Sequence, residues 1–128
     1  MWKILSKKEK GFTLVELSII VAVIGILAAI AFAQFQGSRG KGLMAAVRSD
    51  TKNAHTAVQA WTMDNPESSP PDVQYTGPAA MTEYPLARVS PHVTIHITSA
   101  GAVKGSHDEL HGTYTIGADG VVADSLSY

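Results

Sequence analysis

Glu16 is an acidic residue near the start of a long apolar stretch, where a carboxylate needs a partner. In a membrane helix a carboxylate costs about 2.5 to 3.5 kcal/mol at the centre and less near an end. If the chain is cut between Gly11 and Phe12, the new α-amino group lies four residues before Glu16. On a helix the amine and the acid then share one face, about 6 Å apart along the axis.

Charge pairing between the Phe12 amine and the Glu16 carboxylate is the chemistry that this spacing predicts. The amine is largely protonated at neutral pH, so it could neutralise Glu16 of its own chain or of a neighbouring chain. Between neighbours, the pair would favour one axial stagger, because any other stagger leaves a carboxylate unpaired in low-dielectric surroundings. The spacing therefore indicates a mechanism for assembly.

Histidines and acids in the last third of the chain are the other residues that could do chemistry. Histidine pairs at a spacing of four could hold zinc or copper, and the acids could contribute to a calcium site. These residues are His92, His96, His107, His111, Asp108, Glu109, Asp119 and Asp124. Without a cysteine or an EF-hand spacing, we expect solvent-facing polar side chains and no metal or other cofactor. Spacings typical of a nucleophile with its base are not recognisable, so we predict no catalytic residues and no enzyme.

An apolar helix must position Glu16. From Ile19 to Ala33, fifteen consecutive residues lack a charged or hydrogen-bonding side chain. The residues from Phe12 to Phe35 make a helix of about 36 Å, which is enough to cross a hydrocarbon core of about 30 Å. We therefore predict a transmembrane or filament-core helix over residues 12–36.

At these residues the sequence resembles the type IV prepilins that have a short leader. The shared pattern is a basic leader ending in Gly11, then Phe12, Thr13-Leu14-Val15 and Glu16, followed by the apolar helix. The resemblance implies that a membrane-embedded aspartyl peptidase cuts after Gly11 and methylates the amine of Phe12. It also implies that Glu16 is needed for methylation and assembly. The implied partners are further copies of the chain in a helical filament, this peptidase and methyltransferase, and a pilus assembly machinery.

Two departures from the family pattern concern the fold. Many members have a proline where this chain has Ala33, so the place at which the helix loses regularity in the filament stays open. Many members also staple the carboxy-terminal region with two cysteines, and this chain has none. Its globular part must therefore hold by packing alone.

Residues 1–11 have the composition of a leader peptide, which we expect to be removed. They carry a net charge of +3, whereas the rest of the chain carries −4. Basic residues before an apolar helix stay in the cytoplasm, so the remainder should be exported. We expect a precursor in the inner membrane and then an extracellular pilus on the cell surface. The mildly acidic remainder argues against nucleic-acid binding by the subunit alone.

Gly37, Gly40 and Gly42 follow the apolar segment, and each costs about 1 kcal/mol relative to alanine in a helix. One interpretation is an ordinary loop that ends the membrane helix. We favour a continuous helix with a soft point, because helical periodicity resumes at once.

Over residues 37–64, apolar side chains recur at intervals of three and four and predict an amphipathic helix that covers a small sheet. They are Leu43, Val47, Ala54, Ala57, Val58 and Trp61, with Asp50 or Thr51 filling the gap.

The rest of the chain predicts a loop and then a sheet. Residues 65–91 contain all six prolines and are expected to form a connecting loop. The side chains that can pin this loop to the core are Tyr75, Met81, Tyr84 and Leu86. Residues 92–128 show the alternation of antiparallel strands and an Asp-Gly turn. The expected fold class is α+β, a long N-terminal α-helix packed against a sheet of three to four strands.

We therefore expect a structural subunit of a type IV pilus, for which the family roles are motility, adhesion or DNA uptake. The first alternative is a pseudopilin of a type II secretion system, although the Asp-Pro-Trp-Gly segment usual in the major pseudopilin is absent. The second alternative is a secreted binding protein whose conventional signal peptide is cut at a site such as Ala29-Ile30-Ala31. The acid at the head of the apolar region and the length of that region argue against this alternative.

Overall fold

The structure is a computed structural model, and it describes residues 11–128 of the chain. The predicted leader therefore lies outside the described residues except for Gly11. The chain forms two compact units, which divide between Gln36 and Gly37. The elements in chain order are α1 (Leu14–Asp64), β1 (Val73–Thr76), β2 (Ala79–Ala80), β3 (Arg88–Val89), β4 (Val93–Ile97), β5 (Val103–His107), β6 (Tyr114–Ile116) and β7 (Val122–Asp124).

Within the first unit, α1 is apolar on every side. All residues from 11 to 36 are exposed, including large side chains such as Leu14 and Ile26. The most apolar 18-residue window of α1 has a mean hydropathy of 2.7, so this helix has the length and composition of a membrane span. A helix that is hydrophobic all round is stable only where lipid or other apolar helices surround it. The predicted apolar amino-terminal helix is confirmed.

Gly37, Gly40 and Gly42 all lie inside α1, so the predicted continuous helix is found here and the alternative of a loop is not. In the second unit, the face of α1 predicted to be apolar is buried. Val47, Ala54, Ala57 and Val58 are at most 4% exposed, while Leu43 and Trp61 pack against this core from its border. Asp50 and Thr51, either of which was expected to fill the interval between Val47 and Ala54 on this face, are both buried as well.

A five-stranded antiparallel sheet, in the order β1-β4-β5-β6-β7, packs on this face. The alternation predicted around residue 95 is confirmed, since Val93, Ile95 and Ile97 of β4 are each 0% exposed. Ile95 lies opposite Gly105 of β5. A methyl group at Gly105 would collide with the Thr51 hydroxyl of α1, so glycine at this position permits the close approach of helix and sheet.

The sheet has five strands, where three to four were expected. The additional edge strand β1 comes from the proline-rich segment, and this segment also forms a separate two-stranded sheet from β2 and β3. Of the four side chains expected to pin the segment, Met81 and Tyr84 are buried and Tyr75 is half-buried. Leu86 is 79% exposed, so the expectation for this residue was wrong.

Candidate processing and assembly site

Gly11 and Phe12 precede the first turn of α1. Neither residue is helical, and both are exposed, Phe12 to 82%. Peptidases act most readily on exposed backbone that is not held in a helix or sheet. The peptide bond between these two residues therefore lies in an accessible segment directly before the helix.

Thr13 and Glu16 form a reciprocal cap at the start of α1. The Thr13 hydroxyl oxygen accepts a hydrogen bond from the Glu16 backbone N–H at 3.2 Å. In return, Oε2 of Glu16 accepts hydrogen bonds from the backbone N–H and the hydroxyl of Thr13, both at 3.0 Å. This is a capping box, in which two N–H groups that the helix itself cannot satisfy are each given an acceptor.

The capping box is a role for Glu16 that its charge alone does not predict. Its signal was present in the sequence, because a threonine followed three residues later by a glutamate before an apolar run is typical of a helix start. The negative charge also lies at the positive end of the helix dipole, which lowers the cost of placing it near the edge of a membrane.

The capping box leaves part of the carboxylate available. Both bonds from Thr13 go to Oε2, and Oε1 of Glu16 receives no hydrogen bond from any residue in the range 11–128. An ammonium group could therefore bind Oε1 while the cap stays intact. Pairing with a Phe12 amine stays a prediction, since that amine exists only after a cut.

The glycines of the predicted soft point differ from one another in their surroundings. A methyl group at Gly37 or Gly42 would meet no atom within 4 Å. Gly40 is buried, and a methyl group there would come within 2.5 Å of the Tyr128 ring. Whether the three residues soften the helix stays a prediction.

The histidine pairs singled out from the sequence do not come together as pairs. Nε2 of His96 lies 3.0 Å from a carboxylate oxygen of Asp72, and Nδ1 of His92 lies 3.4 Å from one of Asp108. His107 is buried and its Nδ1 accepts the backbone N–H of Glu109. Across residues 11–128, no group of three or more histidines and acids is arranged to hold a metal ion.

The acids considered for calcium are likewise dispersed among separate partners. Glu109 forms an ion pair with Arg39 at 2.7 Å, and Asp124 forms one with Arg48 at 2.8 Å. Asp119 accepts a backbone N–H within its own turn. Glu109 and Asp124 therefore attach segments of the second unit to α1, while Asp119 stabilises its own turn.

Comparison with known proteins gives one matching family model, described as the prokaryotic N-terminal methylation motif, over residues 6–32. This range includes the predicted cut site, the capping box and most of the apolar helix. No solved structure matches the chain significantly.

Several curated fimbrial proteins are similar to about half of the chain. The "Type IV major fimbrial protein FimA" of Dichelobacter nodosus is 42% identical over 69 residues, which cover 54% of this chain and 44% of that protein. A "Fimbrial protein" of Pseudomonas aeruginosa is 40% identical over 73 residues, covering 54% and 47%. The "Type IV major alpha-pilin" of Moraxella bovis is 46% identical over 52 residues, covering 41% and 33%.

The matched region spans less than half the length of each of these relatives. The residues that match the methylation motif contain the whole candidate site, from Gly11 to Glu16. The methylation motif and the similarity to type IV major fimbrial proteins make the matched part of the chain similar to type IV pilins.

Proposed function

We propose that this protein is the structural subunit of a type IV pilus. It is inserted in the inner membrane as a prepilin, cut after Gly11 and methylated on the new amine of Phe12. The subunits then polymerise through the apolar part of α1 into an extracellular filament, which serves motility, adhesion or DNA uptake. Its partners are other copies of the chain, the prepilin peptidase and methyltransferase, and the assembly machinery.

The observation that carries this proposal is the setting of Glu16. It is the single acid among the residues from 11 to 36, and it lies at the start of a helix that is apolar on all sides. One of its carboxylate oxygens accepts no hydrogen bond from residues 11–128. Lipid can surround such a helix in the precursor. In a filament, other copies of the same helix replace the lipid, and a neighbour's amine supplies the counter-charge that lipid lacks.

The polymerisation step requires no catalytic group. Apolar helix packing supplies most of the cohesion, and the charge pair selects one stagger between neighbouring helices, because a mismatched stagger leaves a charge unpaired.

The relatives are named as fimbrial proteins and pilins, which favours a pilus subunit over a pseudopilin. Electron microscopy of sheared cells separates these two functions. Long external fibres built of this chain support the pilus subunit, and their absence together with stalled protein export supports the pseudopilin.

The mass of the mature amino terminus tests the processing step directly. Protein isolated from its native source is expected to begin at Phe12 and to carry one additional methyl group. A chain that still begins at Met1, or that begins beyond Phe12 near Gln34, contradicts the proposal. The second of these results would support a conventional signal peptide.

Two substitutions of Glu16 distinguish the effect of its negative charge from the effect of its hydrogen bonds in the capping box. Glu16→Gln keeps an acceptor for the Thr13 N–H but has no charge, while Glu16→Ala removes both. If charge pairing sets the stagger, both variants are exported and anchored, and neither assembles fibres. Normal fibres from Glu16→Gln would show that the cap suffices and would refute the pairing mechanism.

A further inference from the structure

We infer that the absence of a side chain at Gly40 makes room for the Tyr128 ring to pack on α1. We also infer that residues 124–128, here called the strap, attach the end of the sheet to α1 without a covalent bond. The strap consists of Asp124, which is the last residue of β7, and the four residues that follow it. This inference concerns the second unit alone and does not depend on filament assembly.

The contact between Gly40 and Tyr128 is closer than any other residue type would allow. A Cβ atom built on Gly40 would lie 2.5 Å from Cγ, 2.8 Å from Cβ and 2.9 Å from Cδ1 of Tyr128. These distances are well below van der Waals contact, so an alanine at this position must displace the ring or the helix. The opposing atoms belong to the root of the side chain, which cannot swing away without moving the strap backbone.

The strap is also tied to the chain that precedes β6. Ser127 and His111 exchange two backbone hydrogen bonds of 2.8 and 2.9 Å. Ser125 and Thr113 are joined by a backbone hydrogen bond of 3.0 Å and by two bonds of the Ser125 hydroxyl, also of 3.0 Å. Gly112 has a φ of +80°, and a Cβ atom there would collide with the Ser125 carbonyl. Two glycines therefore make room for the strap, one on each side.

Polar and apolar contacts with α1 complete the attachment. Asp124, the first residue of the strap, pairs with Arg48 at 2.8 Å, and Leu126 packs against the border of the core. Both members of the ion pair are partly exposed, with side-chain exposures of 41% and 31%. Exposed ion pairs of this kind contribute little to stability, so packing of the Tyr128 ring and of Leu126 supplies most of the attachment.

The strap gives a chain without cysteine a means of closing its sheet onto its helix. Because the attachment described here consists of packing contacts, hydrogen bonds and an ion pair, it opens and closes by local unfolding without any redox chemistry. Gly40 therefore has a structural role that its neighbours Gly37 and Gly42 lack, although the sequence presents all three alike.

The three glycines provide a test with internal controls, made on the full chain in detergent micelles. Gly37→Ala and Gly42→Ala add a methyl group in open space, so each should raise the folded-to-unfolded ratio by a factor of about 5 through helix propensity. Neither should change amide hydrogen exchange in the strap. Gly40→Ala should instead speed the exchange of the Ser125 and Ser127 amides by about fivefold to a hundredfold, the range expected for overpacking.

A second background isolates the ring as the cause. In Tyr128→Gly, the strap amides exchange faster than in the parent chain, and Gly40→Ala now stabilises the protein as Gly42→Ala does. The inference is overturned if Gly40→Ala leaves strap exchange unchanged in the parent chain. It is also overturned if Gly40→Ala destabilises equally in both backgrounds, because the collision would then not involve Tyr128.

Discussion

The carboxylate of Asp50 on α1 accepts the backbone N–H of Ser90 at 2.6 Å and the Ser90 hydroxyl at 3.2 Å. Asp50 is 7% exposed, and Ser90 lies between β3 and β4. Ser90 in turn accepts the backbone N–H of Val93 through its carbonyl oxygen at 3.1 Å. A buried acid of the helix thus holds the turn that leads into β4, an inner strand of the large sheet.

We predict that Asp50→Ala destabilises the second unit more than either Asp50→Asn or Ser90→Ala does. It leaves the Ser90 N–H without an acceptor, and a hydrogen bond to a charged group contributes about 1.5 to 3 kcal/mol. Asp50→Asn keeps one acceptor and should cost less, and Ser90→Ala, which keeps the N–H bond, should cost about 1 kcal/mol or less. Chemical unfolding followed by near-ultraviolet circular dichroism gives the ranking. A larger loss for Ser90→Ala than for Asp50→Ala would contradict it.

The close approach of β5 to α1 predicts a strong effect of Gly105→Ala. The added methyl group collides with the Thr51 hydroxyl, and overpacking of this kind costs about 1 to 3 kcal/mol. Thr51→Ala removes the colliding oxygen, so the double variant should recover part of the loss. Thermal unfolding of the parent, the two single variants and the double variant measures this coupling. Strictly additive effects would mean that these two residues do not determine the helix–sheet spacing.

The capping box predicts that Thr13→Ala frays the first turn of α1, while Thr13→Ser preserves it. Loss of an N-terminal cap costs about 1 kcal/mol, and serine offers the same hydroxyl acceptor as threonine. Amide exchange of residues 14–17 in detergent micelles should therefore rise in the alanine variant only. Equal exchange in both variants would show that the hydrogen bonds between Thr13 and Glu16 do not hold the helix start.

The raised pKa of the Tyr84 hydroxyl predicts that the protein loses stability at alkaline pH. Burial, followed by the negative charge of Glu83, raises the pKa of the Tyr84 hydroxyl above its usual value. A group whose pKa is raised by folding contributes its full stabilisation below its unfolded pKa of about 10, and this contribution is lost as the pH rises through the folded value. The free energy of unfolding should fall more steeply above about pH 10 in the parent than in Tyr84→Phe. Parallel curves for the two proteins would contradict this assignment.

The sequence was sufficient for those parts of the fold that depend on local periodicity. The apolar run predicts the first part of α1, and the spacing of Val47, Ala54 and Val58 predicts its buried face. The alternation around Ile95 predicts strand β4. The Asp-Gly turn before β7 follows from turn chemistry alone. Each of these signals lies within a short window, where neighbouring residues share one repeating geometry.

The features that the sequence did not predict depend on contacts between distant positions. Strand β1 is four residues long and lies among prolines, so only its pairing with β4 distinguishes it from a loop. Gly40 is like Gly37 and Gly42 until Tyr128, which comes much later in the chain, is placed beside it. The outward position of Leu86 likewise depends on how the turn before β3 packs.

The two outer strands of the large sheet, β1 and β7, have four and three residues. An outer strand offers unsatisfied backbone groups, and long ones recruit the strands of other molecules into aggregates. With so few such groups on either side, neighbouring copies of the second unit offer each other little backbone to pair through. In the proposed filament, cohesion would then come from packing of the apolar helices, because the sheets would not join edge to edge.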